Sequence, residues 1–213
     1  MLRRLSILFF LQISILNAWC QDPIDLNNRG VQYLLGEGVS QNLPEAFRYF
    51  ERAANAGYVL AYNNLANCYF NGEGCSRDLS KAFFWYEKAA SAGNATAQCS
   101  LGECYYFGNG VGKDYERAVY WFEISARQNY AKSQFNLGVC YNHGQGVMKD
   151  NNRAIYWLEK AAQQGYPQAQ YEFGNFFKAG IGVPQNMDKA FYWWERAARQ
   201  GHEKAAQALL EEE

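Results

Sequence analysis

Proline and histidine are both rare in this 213-residue chain, four of one and two of the other, and neither charge sign is in excess, with 20 Lys and Arg against 21 Asp and Glu. Balanced charge excludes the electrostatic footprint of a nucleic-acid binder. The two histidines, His143 and His202, stand in no spacing that makes a metal pair, so neither a metal nor another cofactor is implied. Gly-x-Ser-x-Gly, Gly-x-x-x-x-Gly-Lys and Ser-x-x-Lys are all missing, and no catalytic residue is assigned. Long apolar runs are limited to one, Leu5 to Leu16, which falls short of the ~20 residues needed to span a bilayer. What the chain does have is apolar content, 49% of its residues, far too much for a disordered chain. It also has 19 glycines. Scattered at random these would weaken helices and strands alike, so they are expected to recur at fixed positions.

Arg3 and Arg4, the apolar run and then Ala18-Trp19-Cys20 read as a secretory signal peptide over residues 1–20, cleaved before Gln21. Lipidation at Cys20 is the lesser alternative, because bulky Trp19 stands where that processing wants a small residue. Without Arg3 and Arg4, 18 basic residues face 21 acidic ones, a net charge of −3. The expectation is a soluble exported protein, periplasmic or secreted, with no membrane span once the leader is gone. In a eukaryotic secretory lumen, Asn94-Ala95-Thr96 would be a glycosylation sequon.

The glycines do recur. Gly36, Gly72, Gly108, Gly144 and Gly180 are spaced 36 apart, as are Gly38, Gly74, Gly110, Gly146 and Gly182. Five copies of one unit follow, at approximately 25–60, 61–96, 97–132, 133–168 and 169–204, with a cap over 202–213. In the second copy, Ala61, Leu65 and Tyr69 mark the apolar stripe of a first helix that stops at Gly72. The column Asn42, Asp78, Asp114, Asp150, Asn186 supplies short acceptor side chains, the N-caps of a second helix. Ala82, Trp85, Tyr86, Ala89 and Ala90 form that helix's apolar face, and Gly93 ends it in a left-handed conformation, with Asn129 at the same place one repeat on. The column Tyr49, Trp85, Trp121, Trp157, Trp193 is expected to fill the space between helices. A two-helix hairpin cannot enclose its own core, so the units must stack into an all-α solenoid.

These residues carry a family resemblance. Ala-x-x-x-Leu-Gly-x-x-Tyr, Gly-x-Gly-Val-x-x-Asp and Ala-x-x-Trp-x-x-x-Ala-Ala-x-x-Gly closely resemble the Sel-1-like repeat, a relative of the tetratricopeptide repeat, over nearly all of 24–210. The resemblance implies a right-handed superhelical stack and a role as a scaffold or adaptor binding other proteins. Cysteine-rich bacterial proteins with such repeats have been labelled β-lactamase-like, which makes a hydrolase one alternative; an envelope protein that recognises glycan with its aromatics is another.

Five cysteines remain in the mature chain, Cys68, Cys75, Cys99, Cys104 and Cys140, an odd number. Cys68, Cys104 and Cys140 share a column, but equivalent helices lie ~8–10 Å apart, beyond the ~7 Å limit for a bridge, so they are read as packed apolar residues. Cys75 replaces a valine column and is read the same way. The glutamates Glu51, Glu87, Glu123, Glu159 and Glu195, one per repeat, are read as a structural ladder rather than as a catalytic pair.

On the first helices, 100° per residue turns one face away from the Leu65 and Tyr69 stripe, toward solvent. In tetratricopeptide-like stacks that face lines the concave groove, and here it differs from repeat to repeat. It carries Asn63, Asn67 and Phe70; Cys99, Glu103 and Tyr106; Phe135 and Asn142; and Tyr171, Asn175 and Lys178. Aromatic and amide side chains there suit an extended peptide or protein partner, rings as anchors and amides pairing with its backbone. Glu103 and Lys178 are the ionised members of this set.

Overall fold

The computed structural model describes residues 22–212; the expected leader and its cleavage point lie outside the described residues. These form eleven helices and no strand. The chain divides into two compact units, the first ending at Lys88 and the second beginning at Ala89. The first holds α1 (Pro23–Leu35), α2 (Leu43–Asn55), α3 (Val59–Asn71) and most of α4 (Leu79–Ser91). The second holds α5 (Ala95–Phe107), α6 (Tyr115–Arg127), α7 (Ala131–His143), α8 (Asn151–Gln163), α9 (Pro167–Ala179), α10 (Met187–Ala198) and the C-terminal α11 (Glu203–Glu212). In the first unit α1 packs on α2 and α2 on α3; in the second, each helix from α5 onward packs on its successor.

Local chemistry sets the helix ends where the repeat places them. Asn42, Asp78, Asp114, Asp150 and Asn186 each accept the backbone N–H three residues on, at 2.9–3.2 Å, satisfying an otherwise orphaned donor. Asp22 does the same for Ile24 at 2.9 Å, with Pro23 opening α1. First helices end on left-handed glycines, and second helices are followed by a glycine or, once, by Asn129 at φ 66°. At Gly146, φ is +71° and a Cβ would fall on the carbonyl oxygen of Tyr115, so both conformation and space require glycine.

The core corrects the expected plug. Tyr49, Trp85, Trp121, Trp157 and Trp193 are only half-buried, and the next residue of each repeat goes in instead: Phe50, Tyr86, Phe122, Leu158 and Trp194 are 0–4% exposed. The cause lies on the facing first helix, which has no side chain at Gly30, Gly102, Gly138 and Gly174. A Cβ there would stand 2.5–2.8 Å from Phe50, Phe122, Leu158 and Trp194 respectively. The plug enters that notch, and its burial contributes ~1.5–3 kcal/mol per repeat. In the second repeat the notch holds Ala66, and the plug Tyr86 donates its hydroxyl to Asn67 at 2.6 Å. The Trp column lies alongside the first-helix aromatics, as in Tyr62–Trp85 with ring centroids 5.5 Å apart and Phe173–Trp193 at 5.3 Å.

Two further ties repeat. Arg117 and Arg153 each bridge an N-cap aspartate, at 3.3 and 3.4 Å, and lie over the ring of Tyr105 or Tyr141 at 5.5 Å, fastening the second helix to the end of the first. In the second unit, buried Gln98, Gln134 and Gln170 donate to the carbonyls of Ala90, Ala126 and Ala162 at 3.1–3.2 Å. Each also accepts an N–H from Gln128, Gln164 or Gln200, just past the second helix of its own repeat, at 2.6–2.8 Å. These amides are buried because both of their ends are satisfied.

Candidate binding surface

Three of the residues expected on the recognition face fall in the first unit. Asn67 is taken up by the Tyr86 hydroxyl, Phe70 meets the Tyr86 ring edge-on at 6.3 Å, and Asn63 has a buried carbonyl oxygen with no hydrogen-bond partner. All three are half-buried.

The other eight fall in the second unit, and one is corrected. Cys99 is buried, 1% exposed, because Asn136 of α7 closes over it, its amide 3.8 Å from Sγ. Glu103 is held by Lys132, Nζ to Oε1 at 2.7 Å, and accepts from Asn136 at 3.4 Å. Burial opposes the Lys132 charge, but the hydrogen bond and charge of Glu103 more than offset it and raise the Lys132 pKa. Lys132 therefore keeps its charge at neutral pH. Tyr106 donates to Gln145 at 2.7 Å and packs edge-on against Phe107 and Tyr115, and burial raises its pKa. Phe135 sits 5.4 Å from the Tyr166 ring. Tyr171 stacks on His202, whose Nδ1 caps α11 by accepting from Ala205 at 3.2 Å. Asn175 accepts from the Trp194 indole at 3.1 Å, and Lys178 pairs with Glu212. Asn142 is half-buried. Both ionised members of the face are thus neutralised within the chain.

Between α5 and α7 these side chains enclose an apolar slot of about 180 Å³. Its walls are Tyr106, Phe107, Phe122, Phe135 and Val139, with Glu103 and Asn136 along one edge. A dry apolar cavity of ~150 Å³ is enough to take up one benzene ring. On the other side of Phe135 lies a wider, open pocket of about 530 Å³ toward Tyr171, Glu172 and the start of α11. Phe135 is the ridge between the two. Phe107, 61% exposed at the end of α5, forms the outer rim of the slot. Neither Phe107 nor the floor residue Phe122 was expected at the face; an aromatic immediately before the capping Gly108 was the available signal for the first.

Five consecutive segments, 26–58, 59–94, 95–130, 131–166 and 167–202, match the Sel1 repeat. The chain belongs to the Sel1 repeat family. Among solved Sel1-type structures, one from Oxalobacter formigenes is 34% identical, with a TM-score of 0.82, covering 86% of this chain and 75% of that one. A protective antigen present in uropathogenic Escherichia coli strains, displaying an SLR fold, is also 34% identical with a TM-score of 0.82; the match covers 92% of this chain and 42% of the antigen. An immunity protein from Pseudomonas aeruginosa shares the fold at 21% identity and a TM-score of 0.59, covering 88% of this chain and 69% of that one. No curated protein matches the chain.

Among the described residues of this Sel1 repeat protein, no group of three or more His, Cys, Asp or Glu could hold a metal ion, and no helix is long and apolar enough to cross a membrane. All five thiols among the described residues are free. Burial pushes Cys68, Cys99, Cys104 and Cys140 up to about 12, which keeps them protonated and unreactive at neutral pH. Cys75 is half-buried, its Sγ directed at the Cys68 carbonyl at 3.5 Å. The glutamate ladder is outward-facing and locally paired, Glu123 with Arg127 at 2.6 Å and Glu195 with Arg199 at 2.8 Å. Those carboxylates converge on nothing.

Proposed function

We propose that the protein is an exported interaction scaffold that grips a peptide segment of a partner protein on the first-helix face. The observation that carries this reading is the slot walled by Tyr106, Phe107, Phe135 and Val139. A monomer gains nothing from holding Phe107 largely in water, whereas a partner side chain inserted beside it would desolvate both. Export rests on the basic and apolar leader of residues 1–20.

A glycan-binding reading has one observation in its favour, the exposed rings Phe84, Tyr120, Tyr156 and Tyr192 on second helices. Three of them lie under a cation of their own helix, Lys88, Lys160 or Arg196 at 4.7–5.5 Å, which covers the ring face a sugar would need. The peptide reading is therefore preferred.

The test is selection of a displayed random-peptide library on the purified protein, followed by calorimetry of the selected peptides on Phe107→Ala. This variant is expected to keep its helix content and melting, since the ring is exposed, and to lose ~2 kcal/mol of binding. Selected peptides that bind the variant as well as the parent would remove the slot from the function.

A further inference from the structure

The two sides of Phe135 differ in chemistry, and the difference specifies a ligand. The slot is apolar, and the one carboxylate at its edge, Glu103, is already paired with Lys132. The open pocket instead has an aromatic floor, Phe135 with Tyr171 stacked on His202 at 4.8 Å, and two carboxylates beside it, Glu172 and Glu203. Neither carboxylate is in an ion pair; Glu172 has only a long contact from the Asn175 amide, at 3.4 Å. Lys204 is the one lysine at the pocket, so two carboxylates face one ammonium. Aromatic faces next to unpaired carboxylates favour a cation that can lie against a ring while donating to oxygen, and a guanidinium does both.

We infer that the second unit recognises a peptide carrying a bulky apolar side chain and an arginine or lysine about two to three residues away, the first entering the slot and the second crossing Phe135 into the pocket. This rests on the peptide-binding reading above and names the class of peptide. The spacing comes from geometry. The slot and the pocket lie on opposite sides of α7, one helix spacing of ~8–10 Å apart, and an extended chain advances ~3.3–3.6 Å per residue. The slot supplies most of the affinity through buried apolar area, and the carboxylates supply the choice between peptides.

The experiment uses fluorescein-labelled Gly/Ser peptides with one phenylalanine and, two or three residues away, Arg, Gln or Glu. They are titrated by polarisation against the full chain and against Phe107→Ala, Glu172→Gln and the double variant Glu172→Gln, Glu203→Gln. The Arg peptide is expected to bind about tenfold more tightly than the Gln peptide at low salt, with the Glu peptide weakest. The double variant should bring the Arg and Gln peptides together while leaving the Gln peptide's affinity unchanged. Phe107→Ala should weaken all three alike. Glu203 lies in the first turn of α11, so Glu172→Gln alone serves as the control that leaves that helix intact; it should remove part of the preference. Binding that depends on Phe107 but does not discriminate Arg from Glu overturns this inference and leaves the peptide reading standing. Discrimination that survives the double variant overturns it too, and no binding by any peptide overturns both.

Discussion

In the first unit, Leu26 and Tyr62 occupy the column that the second unit fills with Gln98, Gln134 and Gln170, and Ala56 stands where the second unit places Gln128, Gln164 and Gln200. The helix pattern on either side is the same. An apolar joint gains from area alone and tolerates small displacements. An amide joint contributes only ~0.5–1.5 kcal/mol per hydrogen bond when made, but an unmade one leaves buried polar atoms costing ~1–3 kcal/mol. The second unit has thus exchanged tolerance for register. The slot and the open pocket that share a wall at Phe135 are in that unit, where helix placement is most tightly specified.

The plug is common to both units, so removing it should give the largest effect in either. Phe50→Ala and Phe122→Ala are each expected to cost ~3–5 kcal/mol in denaturant titration. Trp121→Ala, half in water, should cost clearly less than its neighbour. A larger loss at Trp121 than at Phe122 would return the tryptophan column to the core. Next come the loop glycines, which separate a free turn from one seated on a neighbour. Gly38→Ala, with open space around it, should cost about 1 kcal/mol for its positive φ. Gly146→Ala, where the new methyl meets backbone as well, should cost about 3 kcal/mol. Equal melting of the two variants would mean that the loop is not clamped.

The joint itself is tested by converting one chemistry into the other. Gln134→Leu removes one hydrogen bond from the Ala126 carbonyl and one from the Gln164 amide, leaving each a partner on Asn129, and is expected to cost ~2 kcal/mol. Adding Gln164→Ala, which copies the Leu26 and Ala56 arrangement, should recover about 1 kcal/mol of that. Strict additivity of the two substitutions would show that the amides are not coupled. The smallest effect is chemical. At pH 8, a thiol reagent should label Cys75 of the first unit before Cys99, Cys104 or Cys140 of the second. The buried thiols have folded pKa values of about 12 against an ordinary 9.0, so their contribution to stability is complete below pH 9 and is lost as pH rises toward 12. Melting temperature should accordingly be flat to about pH 9 and fall above it. Alkaline melting that begins well below pH 9 would point to other groups.

Much of this was legible in the residues. Caps, left-handed glycines and the five-fold period each rest on one residue type with one backbone task, so a column of identical residues identifies them. The plug did not come out, because positions 121 and 122 are both large and apolar in every repeat, and a 100° turn is all that separates them. The informative signal was on the other helix, in Gly30, Gly102, Gly138 and Gly174, small residues that make room for something large. Cys99 was placed by helix angle alone, without the Asn136 that covers it from the next first helix. The slot belongs to the same class of omission: Phe107 and Phe122 meet Phe135 from two other helices, and periodicity within one helix does not report on another.

Because Gln98, Gln134 and Gln170 each donate to an alanine carbonyl of the preceding repeat, the repeats of the second unit meet through one and the same bond. Residues 131–166, copied once in tandem, would set the second Gln134 against the Ala162 carbonyl, the acceptor Gln170 uses now, at the loss of the Ser133 contact with Ser125 and the Gln164 contact with Asn129, whose places would be taken by Ala161 and Gly165. A copy of the first repeat could not be spliced in the same way, since Leu26 stands where the others carry the donating glutamine. Lengthening by duplication is therefore easier with a repeat of the C-terminal part than with the first repeat.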